Sequence, residues 1–334
     1  MRRTAAGSRI SVGMAKELGS SRASCSNLPA ERAASATLAP CLAKSRAVAR
    51  PIVESPNALY VRTDYYKEAG VEPPKTWDDL LAAGKKLKAA GHPVGITLGH
   101  AAFDSQVSWY PVMWAFGGKE IDNDGKTVAL ESDEVVKAVE YGANLYQDAM
   151  DSSVFSYDDA GNNRAYIAGT ISTTIDTASI YLAAIPDNKQ LADNTALYLY
   201  PSGPAGQYGF HGGVGGFSII KQSKNIDAAK RFLSDMMEED FYRQFIKISE
   251  GYITPCLGGY VNKDIWPKDP KLAIYKDIGK IGRLPGWPGP LTRAASEAMS
   301  RFIIADMFAA TANGMDPKKA AANAAAEYSQ LLKS

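Results

Sequence analysis

The sequence is poor in the residues that most often carry chemistry. Only three histidines, His92, His100 and His211, and three cysteines occur in 334 residues. Cys25, Cys41 and Cys256 are too far apart to suggest a zinc site or a disulfide framework. There is no Gly-x-Ser-x-Gly, His-Glu-x-x-His, full Walker loop Gly-x-x-x-x-Gly-Lys-Ser/Thr or Cys-x-x-Cys. No motif therefore points to a nucleophilic serine, a catalytic zinc, a phosphate cradle or a thiol pair. The glycines of His211–Gly216 do not follow the dinucleotide spacing, and no cofactor is implied. Long apolar runs are also lacking: the longest uncharged stretch, Asn194–Ile220, contains Pro201, Pro204 and seven glycines, which suits loop and strand rather than a membrane helix. Finally, no sign of charge dominates. The 37 Lys and Arg against 36 Asp and Glu leave a net of +1, which gives no argument for a nucleic-acid partner.

That balance hides a split. Residues 1–50 hold nine Lys and Arg against two Glu, a net of +7, with twelve Ala, eight Ser and no aromatic residue. So little apolar surface cannot offset the entropy of ordering, and the segment is expected to be disordered. Met1-Arg2-Arg3 supplies the basic start of a secretory signal, but no apolar core follows. The Arg-, Ser- and Ala-rich composition is compatible with an organelle transit peptide, or with a shifted-frame start that is not a natural protein end.

From Pro56 onward the texture is that of a folded α/β domain. Asn57–Arg62 reads as a strand, and Thr63–Ala69 as a short helix stopped by Gly70. Thr76 followed by Asp79 predicts a capping box, ahead of an apolar face of Leu80, Leu81, Ala83, Gly84 and Leu87 ended by Gly91. Val94–Leu98 is a strand candidate, and Ser105–Phe116 an aromatic-rich helix. The turn Asp122–Lys126 resembles a calcium loop but has no Glu at the twelfth position. Helices are expected over about 133–150 and 157–168, and strands over Thr170–Ile175, Ala196–Tyr200 and Val214–Ile220. Further helices are expected over Ile226–Met237 and Asp240–Ile248, and beyond Asp316-Pro317. Strands alternating with helices argue for an α/β architecture.

In place of catalytic motifs the sequence offers aromatic residues and glycine turns. Such residues suit carbohydrate sites, where flat rings meet the C–H face of a sugar and a few Asp, Asn and Ser groups fix its hydroxyls.

Several stretches resemble the extracellular solute-binding proteins of ABC importers, specifically the maltose-binding-protein-like sugar binders. They are Ser55–Asp64, Lys67–Val71, Pro74–Leu80, Ala115–Gly118, Gly212–Asn225, Glu250–Pro255 and the helical tail Ala309–Leu332. The resemblance spans about residues 52–334 and implies a type II periplasmic-binding-protein-like fold. Two α/β lobes are joined by crossing strands, with the ligand between them. It also implies that the first lobe is incomplete. Residues 1–50 would be a disordered segment foreign to the family, and 51–212 the crossing strand with most of the second lobe. Residues 213–265 would be a remnant of the first lobe, and 266–334 a helical return to the second.

The function implied is capture of a mono- or oligosaccharide and delivery to the transmembrane subunits of an ABC permease. The protein would be a monomer in the periplasm or at the cell surface, with no enzymatic activity. Two alternatives stay open: a carbohydrate-active hydrolase with a carboxylate pair such as Asp176 and Asp104, and a non-functional fragment of a binder.

The resemblance also nominates ligand contacts. Ser55 and Asn57 lie on the first crossing, unless they merely begin a strand. Trp109 lies in an aromatic segment that lines the cleft, although core packing is the commoner fate of a helical Trp. Asp176 and Ser179 follow a buried strand where the family often has Asp-Gly-x-Trp. Thr177 and Ser179 here replace the glycine and the tryptophan, and Asp176 could instead cap the next helix. His211, Gly212 and Gly213 lie at the second crossing, as contacts or as a plain hinge. Trp287, in the proline-stiffened Leu284–Pro290 loop, and secondarily Tyr252, complete the set. No Lys or Arg is among them, so a neutral sugar is expected over an anion, which would want a guanidinium.

Overall fold

The computed structural model describes residues 49–211, 215–220, 222–255 and 264–333. The disorder expected of the first residues therefore lies outside the described part, as do all three cysteines, Gly212 and Gly213. In chain order the elements begin with β1 (Ala49–Glu54), β2 (Ala58–Arg62), α1 (Thr63–Glu68), α2 (Trp77–Ala89), α3 (Asp104–Ala115), α4 (Asp133–Ala149), α5 (Gly161–Ile167), β3 (Thr173–Asp176), α6 (Ser179–Asp187), α7 (Lys189–Asp193) and β4 (Thr195–Tyr198). Short strands β5 (Ser202–Gly203), β6 (Gly206–Gln207) and β7 (Gly209–Phe210) lead to β8 (Gly215–Ser218), α8 (Ile226–Met236), α9 (Glu239–Ile248) and β9 (Thr254–Pro255). The chain closes with α10 (Tyr275–Ile281), β10 (Gly282–Arg283), α11 (Arg293–Ser300), α12 (Ile303–Ala312) and α13 (Pro317–Leu331).

The larger lobe is organised by β2, which lies between β3 and β4 in an antiparallel sheet. Its side chains alternate between two cores, as a period of two requires. Leu59 and Val61 join the main core of α2, α3, α4, α12 and α13, whereas Ala58 and Tyr60 join a second core with Tyr166, Ile180, Leu272 and Tyr275. A strand buried on both faces needs apolar residues throughout, which is why Ala58–Val61 shows no polar alternation. The expected capping box opens α2: Thr76 accepts from the Asp79 amide at 3.0 Å, and Asp79 accepts from the Thr76 amide at 2.9 Å. Asp316 likewise caps α13 by accepting from the Lys319 amide at 3.0 Å.

The smaller lobe is a three-stranded sheet in the order β8-β1-β9, carrying α8 and α9. Its core consists of Met237, Tyr242, Ile246 and Ile265, with Val53, Ile253 and Trp266 packed against it.

Three sequence expectations are corrected. Ala49 and Arg50, assigned to the disordered segment, belong to β1, where Ala49 pairs with Ser218 and Arg50 with Phe217. Val94–Leu98 forms no strand: one parallel bridge joins Val94 to Thr173, and the remainder is held by loop bonds such as Leu98 N to Val154 O at 2.9 Å. The helix expected from Tyr157 starts only at Gly161. Among the described residues no helix is long and apolar enough to cross a membrane.

Candidate functional site

The chain passes between the lobes at Glu54–Asn57 and again after Phe210. The two passages are tied together. Glu54 Oε1 lies 2.6 Å from His211 Nδ1, the His211 amide donates to Arg283 O at 2.8 Å, and Thr254 Oγ1 donates to Glu54 O at 3.3 Å. Gly282 lies under the His211 ring, where an added Cβ would come within 2.6 Å of it, so a side chain there would have to displace the ring.

Beside this hinge lies a cleft of about 370 Å³. Its larger wall comes from the larger lobe: Phe103 and Asp104 at the start of α3, Asp159 and Asn163 around the start of α5, and Asp176, Thr177 and Ser179 between β3 and α6. Ser55 of the first passage and Tyr252, from the α9–β9 turn of the smaller lobe, close it on the other side.

The end of β3 is rigid because Asp176 fixes it. Its Oδ1 accepts from the Thr177 amide at 2.5 Å, the Thr177 hydroxyl at 3.1 Å and the Ser179 hydroxyl at 2.8 Å, and its Oδ2 from Asn162 Nδ2 at 3.3 Å. Asn163 Nδ2 donates to Ser179 Oγ at 2.9 Å. Asp159 Oδ1 ties the α5 side to the start of α3 by accepting from the Phe103 amide at 2.8 Å and the Asp104 amide at 3.2 Å. Burial raises the Asp104 carboxyl well above the usual range, and the neighbouring Asp176 and Asp159 add to the effect. Burial also raises Asp176, but the bonds from Ser179, Thr177 and Asn162 hold it lower. The cleft thus has rigid acceptors, two rings and, among the described residues, no Lys, Arg or His in its lining.

Of the residues nominated from sequence, Ser55, Asp176 and Ser179 meet in this cleft, together with Tyr252. Asn57 does not line it: the side chain is fully buried, and neither amide atom has a partner. Trp109 is a correction. It is fully buried, donates from Nε1 to Thr97 O at 2.7 Å and stacks on Phe308 at 4.8 Å, so it fills the core of the larger lobe. His211 acts in the hinge and not on the cleft wall. Trp287 is also corrected: it packs on Tyr208 at 5.0 Å and Trp114 at 6.2 Å, under the Arg283 guanidinium at 5.5 Å, away from the cleft lining.

Sequence reasoning missed Phe103, Asp159 and Asn163, and named Asp104 only as half of a carboxylate pair. The Asp at the first position of α3 was the one available signal. Another groove, of about 420 Å³, runs between α4 and the α12–α13 turn. It has no aromatic side chain and draws both walls from one lobe, so it offers nothing that two lobes could close upon.

Comparison with known proteins agrees with this fold. The family described as bacterial extracellular solute-binding protein matches residues 21–242. A binding protein of Brucella abortus (strain 2308) is 26% identical over 259 residues, which are 75% of this chain and 61% of that protein. The chain thus spans about 61% of the length of that curated relative. Among solved structures, the GacH receptor of Streptomyces glaucescens, known unliganded and with acarbose, has a TM-score of 0.70 at 22% identity, covering 86% of this chain and 71% of that one. An ABC transporter solute-binding protein of Thermotoga lettingae bound with α-D-tagatose has a TM-score of 0.71 at 19% identity, covering 85% and 72%.

Proposed function

The chain belongs to the bacterial extracellular solute-binding protein family, and from that premise we propose that it captures a carbohydrate in the cleft between its lobes and presents it to an ABC permease. The observation that carries this reading is the cleft lining: polar groups fixed by their bonds at Asp176, Ser179 and Asn163, rings at Tyr252 and Phe103, and among the described residues no cationic side chain to hold an anion. Hydroxyls hydrogen-bond to such groups, and the C–H face of a sugar lies on a ring. Asp176 and Ser179 hold the ligand on the larger lobe, and Ser55 and Tyr252 approach it from the passage and the smaller lobe. The relatives bound with acarbose and with tagatose support the ligand class. This role places the protein in the periplasm or at the cell surface, as a monomer working without chemistry of its own.

Titration calorimetry against neutral sugars, sugar alcohols and sugar phosphates tests the reading. Binding of a neutral compound that chromatography recovers unchanged is the expected result. Selective binding of phosphorylated compounds would overturn the ligand class. Turnover would instead favour hydrolysis by the Asp104 and Asp176 carboxyls, which share the cleft.

A further inference from the structure

We propose that Asp104 is a ligand-binding residue and that, with Asp159 and Asp176, it selects a carbohydrate bearing a protonated amine over its neutral counterpart; this rests on the carbohydrate capture proposed above. Among the described residues, three carboxyls are the only ionisable acids or bases in the cleft lining apart from the Tyr252 phenol. Two of them already have partners from the protein. Asp159 takes the first two amides of the α3 end, and Asp176 takes two hydroxyls, an amide and the Asn162 side chain.

Asp104 differs. It is 5% exposed and lines the cleft, and its buried Oδ2 accepts no hydrogen bond of good geometry, although the Asn162 side chain lies close enough to lower its carboxyl somewhat. The helix end does not engage it: Asp159 accepts the Phe103 and Asp104 amides there. A buried carboxyl oxygen left without a donor is costly, and a donor arriving in the cleft removes that cost.

The surroundings decide which donor. The ionisable groups that face Asp104 are Asp176, Asp159 and Asp158, with the buried Tyr200 phenol sensing the same charges. The nearby Arg164 guanidinium is engaged by Asp158 at 2.7 Å on the surface. Among the described residues no Lys, Arg or His lines the cleft beside these carboxyls, which favours a cation. The three carboxyls are not gathered as metal ligands: among the described residues no group of three His, Cys, Asp or Glu could hold a metal ion. A wider cation fits better. A primary ammonium spreads three N–H donors, and the adjacent sugar hydroxyls reach Ser179 and Asn163 while Tyr252 and Phe103 meet the carbon face. Burial and the neighbouring acids keep a proton on Asp104 in the empty cleft. When the ammonium arrives, that proton leaves to solvent and an ammonium–carboxylate pair remains. A neutral hydroxyl requires no such release.

The experiment is calorimetry at pH 6 in two buffers of different ionisation enthalpy, using the unmodified protein. Glucosamine is compared with glucose, galactosamine with galactose, and the dimer of glucosamine with cellobiose. The amine should bind at least about tenfold more tightly than its neutral partner in one or more pairs. Protons should be released when the amine binds, and none when the neutral sugar binds. Asp104→Asn should bring each such pair to within about twofold and sharply reduce the release. Neutral sugars binding as tightly as the amines, or amines binding without proton release, would overturn the proposal and leave carbohydrate capture standing. Sugar phosphates binding while both members of every pair fail would overturn the capture reading and this proposal with it.

Discussion

The two lobes use the same kinds of element and bury them very differently. In the larger lobe all twelve residues of α3 are buried, and α12 buries seven of its ten. In the smaller lobe α9, also ten residues long, buries only Tyr242 and Ile246. Phe241 and Phe245 of α9 stack on each other in the open, Ile248 is 81% exposed, and Phe232 of α8 is 62% exposed. The sequence pattern of α9 is amphipathic, but a pattern dictates only which face seeks cover. Cover comes from a further layer. Around β2 two cores supply it on opposite faces, whereas β8 is an edge strand paired only with β1 among the described strands. Stability is therefore concentrated in the larger lobe, and the larger lobe carries most of the cleft wall.

The contrast can be broken first at Trp109. Trp109→Ala removes a ring that bonds Thr97 and stacks on Phe308, and should cost about 3–5 kcal/mol in chemical denaturation. A loss below about 1 kcal/mol would return Trp109 to the list of ligand contacts.

The next largest effect depends on pH. Glu120 is fully buried in the larger lobe, accepts from Tyr110 Oη at 3.0 Å and from the Gly286 amide, and burial pushes its carboxyl up to about 8. Because the folded value is raised, the stabilisation is complete below the unfolded carboxyl value of about 4.3 and is lost as pH rises through about 8. Glu120→Gln should flatten that decline, which amounts to roughly 2–4 kcal/mol between pH 5 and pH 9, in melting curves. An unchanged slope would mean that Glu120 is ionised in its site.

At the cleft, Asp176→Asn should weaken a bound sugar by about 1.5–3 kcal/mol, read by calorimetry with the melting temperature checked in parallel. Unchanged affinity would move the site elsewhere. A smaller loss, about 1 kcal/mol of stability, is expected for Thr76→Ala, which removes the capping hydroxyl of α2. The smallest belongs to the smaller lobe: Ile248→Lys should shift stability by less than about 0.5 kcal/mol and raise solubility.

What was legible in the sequence was local. The Thr76–Asp79 box, Gly70 after α1, Asp316-Pro317 and the apolar run of β2 each carry their cause within a few residues. β1 was not legible, because Arg50, Pro51 and Glu54 make a poor strand pattern and the segment is held by pairing with β8 and β9, some 165 to 200 positions later. The cleft followed the same rule. Asp176 and Ser179 stand on one turn and were found. Phe103, Asp159 and Asn163 reach it only because Asp159 bonds back across 55 positions to the α3 end, and no short pattern encodes that bond. Trp109 misled because an aromatic helix buried on all sides and one lining a cleft have the same composition.

The most direct test of the account is amide hydrogen exchange with and without saturating sugar. Exchange should slow at residues 103–104, 159–163 and 176–179 and around Tyr252, which would place the ligand between the lobes. Slowing confined to residues 140–147 and 311–317, the groove within the larger lobe, would contradict it.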